Sequence, residues 1–266
     1  MTGSTPSPRP TALVTGASSG IGADLARELA RHGHDLILVA RTRDALEAVG
    51  REVSTTHGVR AESVTADLAD AAAPDALFAE VSRRGLSVDV LANNAGLGGL
   101  APFVEQDPEV QRRMLAVNVV ALTGLCRLFL PAMVQRRRGR VLNVASTAGF
   151  APGPFMAVYY ASKAYVISFS VALANELEGK GVSVTCLCPG ATKTRFDEVA
   201  GSSRSRLFQG PGVMSSPDVA RAGVEGLLAG KAIVIPGWRN KLVSWGAGLG
   251  PRTLAARIAG RFQETA

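Results

Sequence analysis

The sequence predicts a doubly wound α/β fold, with a seven-stranded parallel sheet, helices on both faces and a single domain. Three observations lead there. Short β-branched runs alternate with longer helical stretches, the first run passes straight into a glycine-rich turn and a helix, and no internal repeat or linker divides the 266 residues. Strict alternation of strand and helix forces right-handed crossovers, and hence a parallel sheet covered on both sides.

The first strand is Ala12–Thr15, followed by a helix beginning near Ile21 in which Leu25, Leu29 and Ala30 recur at helical spacing. Asp35–Ala40 precedes a helix near Arg43, Ala61–Ala66 one near Ala72, and Val88–Ala92 one near Glu109. Arg140–Ala145 leads to a helix near Ala157, and Val182–Cys188 to one near Pro217. That last helix opens with Ser215-Ser-Pro-Asp218, a serine cap and an early proline. Ala232–Ile235 completes the sheet. Residues 1–10 form a polar, proline-rich tail read as disordered, 11–237 the doubly wound domain, and 238–266 an amphipathic extension.

Composition narrows the function classes. With 47% apolar residues, the chain can bury a large core, which excludes intrinsic disorder and a disulfide-stapled miniprotein. The formal charge of +7 is spread along the chain apart from Arg136–Arg138 and Arg140, where cations suit a helix carboxyl end. A solvated helix terminus is preferred there to a docking patch, so no nucleic-acid partner is expected. Cys126, Cys186 and Cys188 lack metal-ligand spacing, so no metal is expected; Cys186 and Cys188 read as buried free thiols on one strand face. Leu115–Val134 is long and apolar, but it carries Asn118 and Arg127 and fits a core helix at least as well as a membrane span. No signal-peptide pattern opens the chain, and a cytoplasmic protein is expected.

The turn after the first strand reads Thr15-Gly16-Ala-Ser18-Ser19-Gly20-Ile21-Gly22. Glycines let backbone approach a pyrophosphate, and the helix start supplies free N–H groups and a positive dipole. The spacing is G-x-x-x-G-x-G rather than the general G-x-G-x-x-G of Rossmann-type dinucleotide folds. A tight strand–helix turn would use the same residues; the position after strand one favours phosphate binding. Strand two ends in Ala40-Arg41-Thr42-Arg43, where NAD-preferring folds carry an acid. Guanidinium groups pair with phosphate, so NADP(H) is the expected cofactor, with Arg41 the main 2′-phosphate contact and Arg43 assisting.

Tyr159-Tyr160-Ala-Ser-Lys163 lies near the start of a helix, and residues i and i+4 share a face. A tyrosine acting as acid or base near neutrality needs a lowered pKa, and Lys163 with the helix amino end would push it down. An amphipathic tyrosine beside a snorkelling lysine would look the same. Ser146 ends the fifth strand, where ligands of this fold bind, or it simply satisfies a turn.

The glycine loop, Asn93-Asn94-Ala95-Gly96, Ser146, Tyr159 and Lys163, in this order and spacing, resemble the short-chain dehydrogenase/reductase family. The similarity runs from about Thr11 to Gly237. It implies an NADP(H)-dependent oxidoreductase interconverting a ketone and a secondary alcohol. By resemblance, Tyr159 rather than Tyr160 is the acid or base, Ser146 polarises the carbonyl oxygen, and Lys163 holds the nicotinamide ribose. Asn118 then distorts the long helix and supports proton return through water. Asp67 and Leu68 match an adenine-contacting pair, and Asn94, Ala95 and Gly96 follow strand four at the cofactor. Pro189, Gly190 and Thr192 match the turn that contacts the nicotinamide carboxamide.

Gly98–Leu100, Phe150, Phe155 and Arg195–Pro211 fall where this family builds its substrate pocket, with 201–206 read as a lid. Apolar Leu97, Phe196 and Leu207 favour a small-molecule substrate that is a lipophilic ketone or 3-oxoacyl compound over a sugar. In the extension, Leu254, Ile258 and Phe262 share a helix face. It reads as packed on its own domain or a subunit in preference to membrane contact. A homodimer through the helices near Leu115–Val134 and Ala157–Leu177, or a homotetramer, is expected. The competing functions are a non-catalytic NADP-binding sensor, disfavoured because all four tetrad positions are filled, and a membrane-associated lipid ketoreductase, which rests on the tail alone.

Overall fold

The structure, a computed structural model, describes residues 9–194, 213–249 and 251–263. Most of the N-terminal tail and the Arg195–Pro211 segment, with Phe196 and Leu207, lie outside the described residues.

Seven strands form one parallel sheet in the order β3-β2-β1-β4-β5-β6-β9. They are β1 (Thr11–Thr15), β2 (Asp35–Ala40), β3 (Ala61–Thr65), β4 (Val90–Asn93), β5 (Gly139–Val144), β6 (Val182–Leu187) and β9 (Ile233–Val234). The helices are α1 (Gly20–Arg31), α2 (Arg43–His57), α3 (Ala73–Arg83), α4 (Pro108–Leu115), α5 (Leu122–Gln135), α6 (Ala157–Glu176) and α7 (Ser216–Leu228), then α8 (Trp238–Leu249) and α9 (Arg252–Gln263) in the extension. All seven strands foreseen are present, and β4 sits two residues later at its start. A two-stranded pair, β7 (Thr192–Lys193) with β8 (Met214–Ser215), was not foreseen. Such short strands carry no periodicity of their own; distant pairing makes them.

The inner strands, such as β1 and β2, are largely apolar because both faces are covered, whereas the edge strand β3 is only part-buried. One face packs Leu13, Ile37, Leu91 and Val141 under α3, α5 and α6; the other packs Val14, Leu38, Ala92 and Leu142 under α1, α2 and α7. Leu25 and Leu29 of α1 are fully buried, a gain of about 1.5–3 kcal/mol each. Ser215 caps α7 as its sequence implies, accepting from the Asp218 N–H at 3.3 Å. The long apolar helix lies on the sheet through Leu122, Leu125, Cys126, Phe129 and Met133, though it is long and apolar enough to cross a membrane. Arg136 and Arg137 donate to the Val88 and Gly179 carbonyls, and Arg138 pairs with Asp89 at 3.2 Å, so this cluster ties down a helix end. Cys186 and Cys188 are buried free thiols 3.7 Å apart.

The strand order reverses between β1 and β4, and a crevice opens beyond the carboxyl ends of strands at such a switch point. The candidate site lies there.

Candidate active site

One cleft of about 380 Å3 gathers every residue expected at the cofactor and catalytic positions except Arg43 and Asn118. Its floor is the glycine turn. Gly16 has φ +67°, which favours glycine, and a Cβ at Gly22 would stand 2.1 Å from the Gly16 carbonyl oxygen. Asn94 locks this turn to the end of β4. Its Nδ2 donates to the Thr15 carbonyl at 2.9 Å, while Thr15 Oγ1 accepts from the Asn94 and Ala95 N–H groups at 3.0 Å each. Ser18, Ser19, Gly20, Ile21 and Gly22 then wall the cleft at the start of α1. Ser19 makes no side-chain cap and no acid sits in the first turn, so the N–H groups and positive end of α1 suit a pyrophosphate.

At the far end of the cleft lie Ala40, exposed Arg41 and Thr42. Arg43 opens α2, is exposed, and does not line the cleft. Asp67 and Leu68 line the wall opposite. Asp67 Oδ2 accepts from Arg113 of α4 at 2.7 Å and its Oδ1 accepts from the Ala69 N–H at 3.1 Å. The Arg113 bond holds the carboxyl below its usual range, against a smaller opposing effect of burial. Sequence reading missed Arg113 because 46 residues separate it from Asp67.

The other end of the cleft brings Ser146, Tyr159 and Lys163 together. Tyr159 and Lys163 stand one turn apart on α6, and Ser146 follows β5. Ser146 caps the 3-10 turn Thr147–Phe150 by accepting from the Ala148 N–H at 3.1 Å, donates to the Pro189 carbonyl at 3.4 Å, and is hydrogen-bonded to the Tyr159 phenol. Lys163 is 4% exposed, donates to the Val144 carbonyl at 2.9 Å, and has its Nζ 5.8 Å from the Tyr159 ring centroid.

The expected acidic phenol is not what the polypeptide produces. Burial pushes Tyr159 up to about 12, with the Ser146 bond opposing and Tyr160 adding to the rise. Although the ring is half-buried, its hydroxyl lies in poorly solvated surroundings. Burial also lowers Lys163 to about 8. Desolvation is the largest cause of the Tyr159 rise, and the Lys163 ammonium donates to a backbone carbonyl.

Tyr160 is buried, with its ring against Gly153, where an added Cβ would come within 2.4 Å; it too borders the cleft. Asn118 lies in a π-helical stretch, Ala116–Ala121, joining α4 to α5. Its side chain accepts from the Leu97 N–H at 2.8 Å and donates to the Leu97 carbonyl at 2.9 Å and Ser162 Oγ at 3.0 Å. Ser162 in turn donates to the Tyr159 carbonyl at 2.7 Å. Asn118 thus braces the wall of the cleft. Pro189, Gly190 and Thr192 close it, with Thr192 Oγ1 donating to the Gly190 carbonyl at 2.9 Å. Ala95 and Gly96 line it beside Leu97 and Gly98. Phe150 packs into the core instead, and Phe155 does not line the cleft. Val117 and Met156 do, and sequence reading missed both; Met156 directly precedes α6, which was the available signal.

A family model described as short chain dehydrogenase matches residues 10–204. The chain is 34% identical over 239 residues to a very-long-chain 3-oxoacyl-CoA reductase of Pyrenophora tritici-repentis, covering 88% of this chain and 70% of that one. It is 36% identical over 196 residues to the 17-beta-hydroxysteroid dehydrogenase type 3 of Rattus norvegicus, covering 73% of this chain and 63% of that one. Among solved structures, a short-chain dehydrogenase from Sphingobium yanoikuyae in complex with NADPH superimposes with TM-score 0.80 at 36% identity, covering 90% of this chain and 94% of that one.

Proposed function

The chain belongs to the short-chain dehydrogenase family, and on that premise we propose that it reduces lipophilic ketones, 3-oxoacyl thioesters among them, with NADPH. It is an NADP(H)-dependent oxidoreductase acting between ketone and secondary alcohol. The observation that carries the reading is the convergence of Ser146, Tyr159 and Lys163 in the same cleft as the Gly16–Gly22 turn, with the Tyr159 phenol hydrogen-bonded to Ser146. A protonated phenol there can give its proton to a carbonyl oxygen in reduction, and the phenolate can take the alcohol proton in reverse.

When bound, the reduced nicotinamide supplies a hydride. The cleft fits the dinucleotide: Gly16 and Gly22 leave room that a Cβ would fill, the α1 amino end meets the pyrophosphate, and Arg41 meets the 2′-phosphate. Arg43, beyond the lining, assists by charge. Asp67, Leu68, Asn94, Ala95 and Gly96 line the cleft and would hold the adenosine and ribose, and Pro189, Gly190 and Thr192, which line it too, would hold the carboxamide. Ser146 orients the substrate oxygen, and Tyr159 gives it the proton as charge develops there. Lys163 holds the ribose. Asn118 keeps the Leu97 segment in place and supports proton return to Tyr159 through water. Leu97, Val117, Met156 and Tyr160 make this end of the cleft apolar, which supports a lipophilic substrate.

A homodimer through the long helices is supported by the exposed Leu115, Val120 and Tyr165, with the Tyr165 hydroxyl 2.9 Å from Thr123 Oγ1. A monomer by sedimentation at micromolar concentration would contradict it. Three buried thiols with no disulfide support a reducing, cytoplasmic setting.

The test is a panel of ketones and 3-oxoacyl thioesters followed by NADPH consumption, with NADH as paired control. Turnover of the longer, apolar members with NADPH is the expected result. Activity confined to polar sugars, or equal activity with NADH, would overturn the reading.

A further inference from the structure

The extension departs from the burial pattern of an ordinary surface helix. In α8, Trp238, Leu242 and Trp245 recur at i, i+4 and i+7 and are 67%, 65% and 72% exposed. The opposite side carries Asn240 and Ser244, and this polar side faces the protein. Asn240 Nδ2 donates to the Pro236 carbonyl at 2.8 Å, while Ser244 is 2% exposed with its hydroxyl lacking a hydrogen-bond partner. A helix that packs only on its own domain turns its apolar stripe inward. Here it points outward, and Leu254 and Ile258 of α9 continue the exposed apolar surface.

Charge identifies what covers it. Between 238 and 263 the sequence has five cations (Arg239, Lys241, Arg252, Arg257 and Arg261) and no acid. Arg239 lies 5.3 Å from the Trp238 ring, and Arg239, Lys241, Arg252 and Arg257 are all exposed. A second copy would bring the same cations against these, so like charge opposes self-pairing. An anionic lipid surface accepts both parts of the pattern: tryptophan and leucine enter the acyl boundary while cations meet headgroup phosphates.

The helices also flank the cleft. Asn240 lies against Gly190, which lines it, α8 packs on the Thr147–Phe150 turn beside Ser146, and Gly260 of α9 lies against Pro154. We propose that α8 and α9 dock the protein flat on an anionic membrane surface, with the mouth of the cleft beside the bilayer. Docking stands apart from the redox reading; only delivery of a lipophilic ketone from the bilayer rests on it.

Trp238 and Trp245 are the two tryptophans of the chain, so intrinsic tryptophan fluorescence reports on this surface alone. The full chain is titrated with phosphatidylcholine vesicles containing phosphatidylglycerol, and with pure phosphatidylcholine vesicles. A blue shift with the anionic vesicles alone, lost at high salt, is the expected result. The double variant Arg239→Glu, Lys241→Glu should weaken that partitioning at least about tenfold while NADPH consumption on a soluble ketone persists. Absence of a shift, or an equal shift with neutral vesicles, overturns the proposal. So does a shift without vesicles that tracks self-association in the centrifuge, which would assign the stripe to a second copy. Vesicle binding is read without substrate, so its failure is distinguishable from failure of the reductase reading.

Discussion

The Lys163 ammonium donates to the Val144 carbonyl at 2.9 Å and thereby ties α6 to the strand that ends two residues before Ser146. The lysine and serine of the site are therefore placed by one backbone segment. Burial lowers the ammonium to about 8.

A pH profile follows from that shift. Lys163 is charged below about 8 and neutral above it, so kcat/KM for NADPH should fall on the alkaline side with an apparent pKa near 8. Tyr159, at about 12, adds no break within the neutral range. A flat profile from pH 7 to about 9.5 would contradict the assignment. The stability sign is opposite: a buried lysine with a lowered pKa burdens the fold fully below about 8, and the burden lifts as pH rises from there toward the ordinary 10.5.

Arg41→Ala should raise the NADPH Kd by about tenfold to a hundredfold, since a charge-assisted hydrogen bond contributes about 1.5–3 kcal/mol. NADH binding should change by less than about threefold, because the group Arg41 meets is absent from NADH. Isothermal titration with both cofactors checks this. Equal losses for the two would assign Arg41 a structural role instead.

Asn143 carries a prediction about stability rather than chemistry. It is fully buried, accepts from Asn93 Nδ2 at 2.9 Å and donates to Ser170 Oγ at 3.0 Å, joining β4, β5 and α6 beneath the site. Asn143→Ala removes one partner from each, leaving Asn93 Nδ2 only its 3.3 Å contact to Cys126 Sγ, and should cost about 2–4 kcal/mol, read as a lower urea midpoint. An unchanged midpoint would show that this network contributes nothing to stability.

Sequence made the sheet legible because its strands are buried on both faces and read as continuous apolar runs such as Leu36–Val39. The glycine turn was equally legible, since Gly22 admits no Cβ and Asn94 and Thr15 must close around it. Side chains that bond to backbone or to distant partners were not. Nothing local points Lys163 at Val144 or Arg113 at Asp67, and burial of the Tyr159 phenol, a tertiary effect, reversed its expected shift. The apolar stripe of the extension could be read from its spacing, but which side of α8 meets the domain is decided by docking onto Gly190, a tertiary matter.

The central claim is that the Tyr159 phenol donates the proton while other groups hold the cofactor. Single-turnover NADPH oxidation with a 3-oxoacyl thioester, run on wild type and Tyr159→Phe beside NADPH binding on the same samples, tests it most directly. The account predicts a rate lower by about 10²–10⁴-fold with NADPH affinity unchanged within about threefold. A variant that turns over within about tenfold of wild type would contradict it.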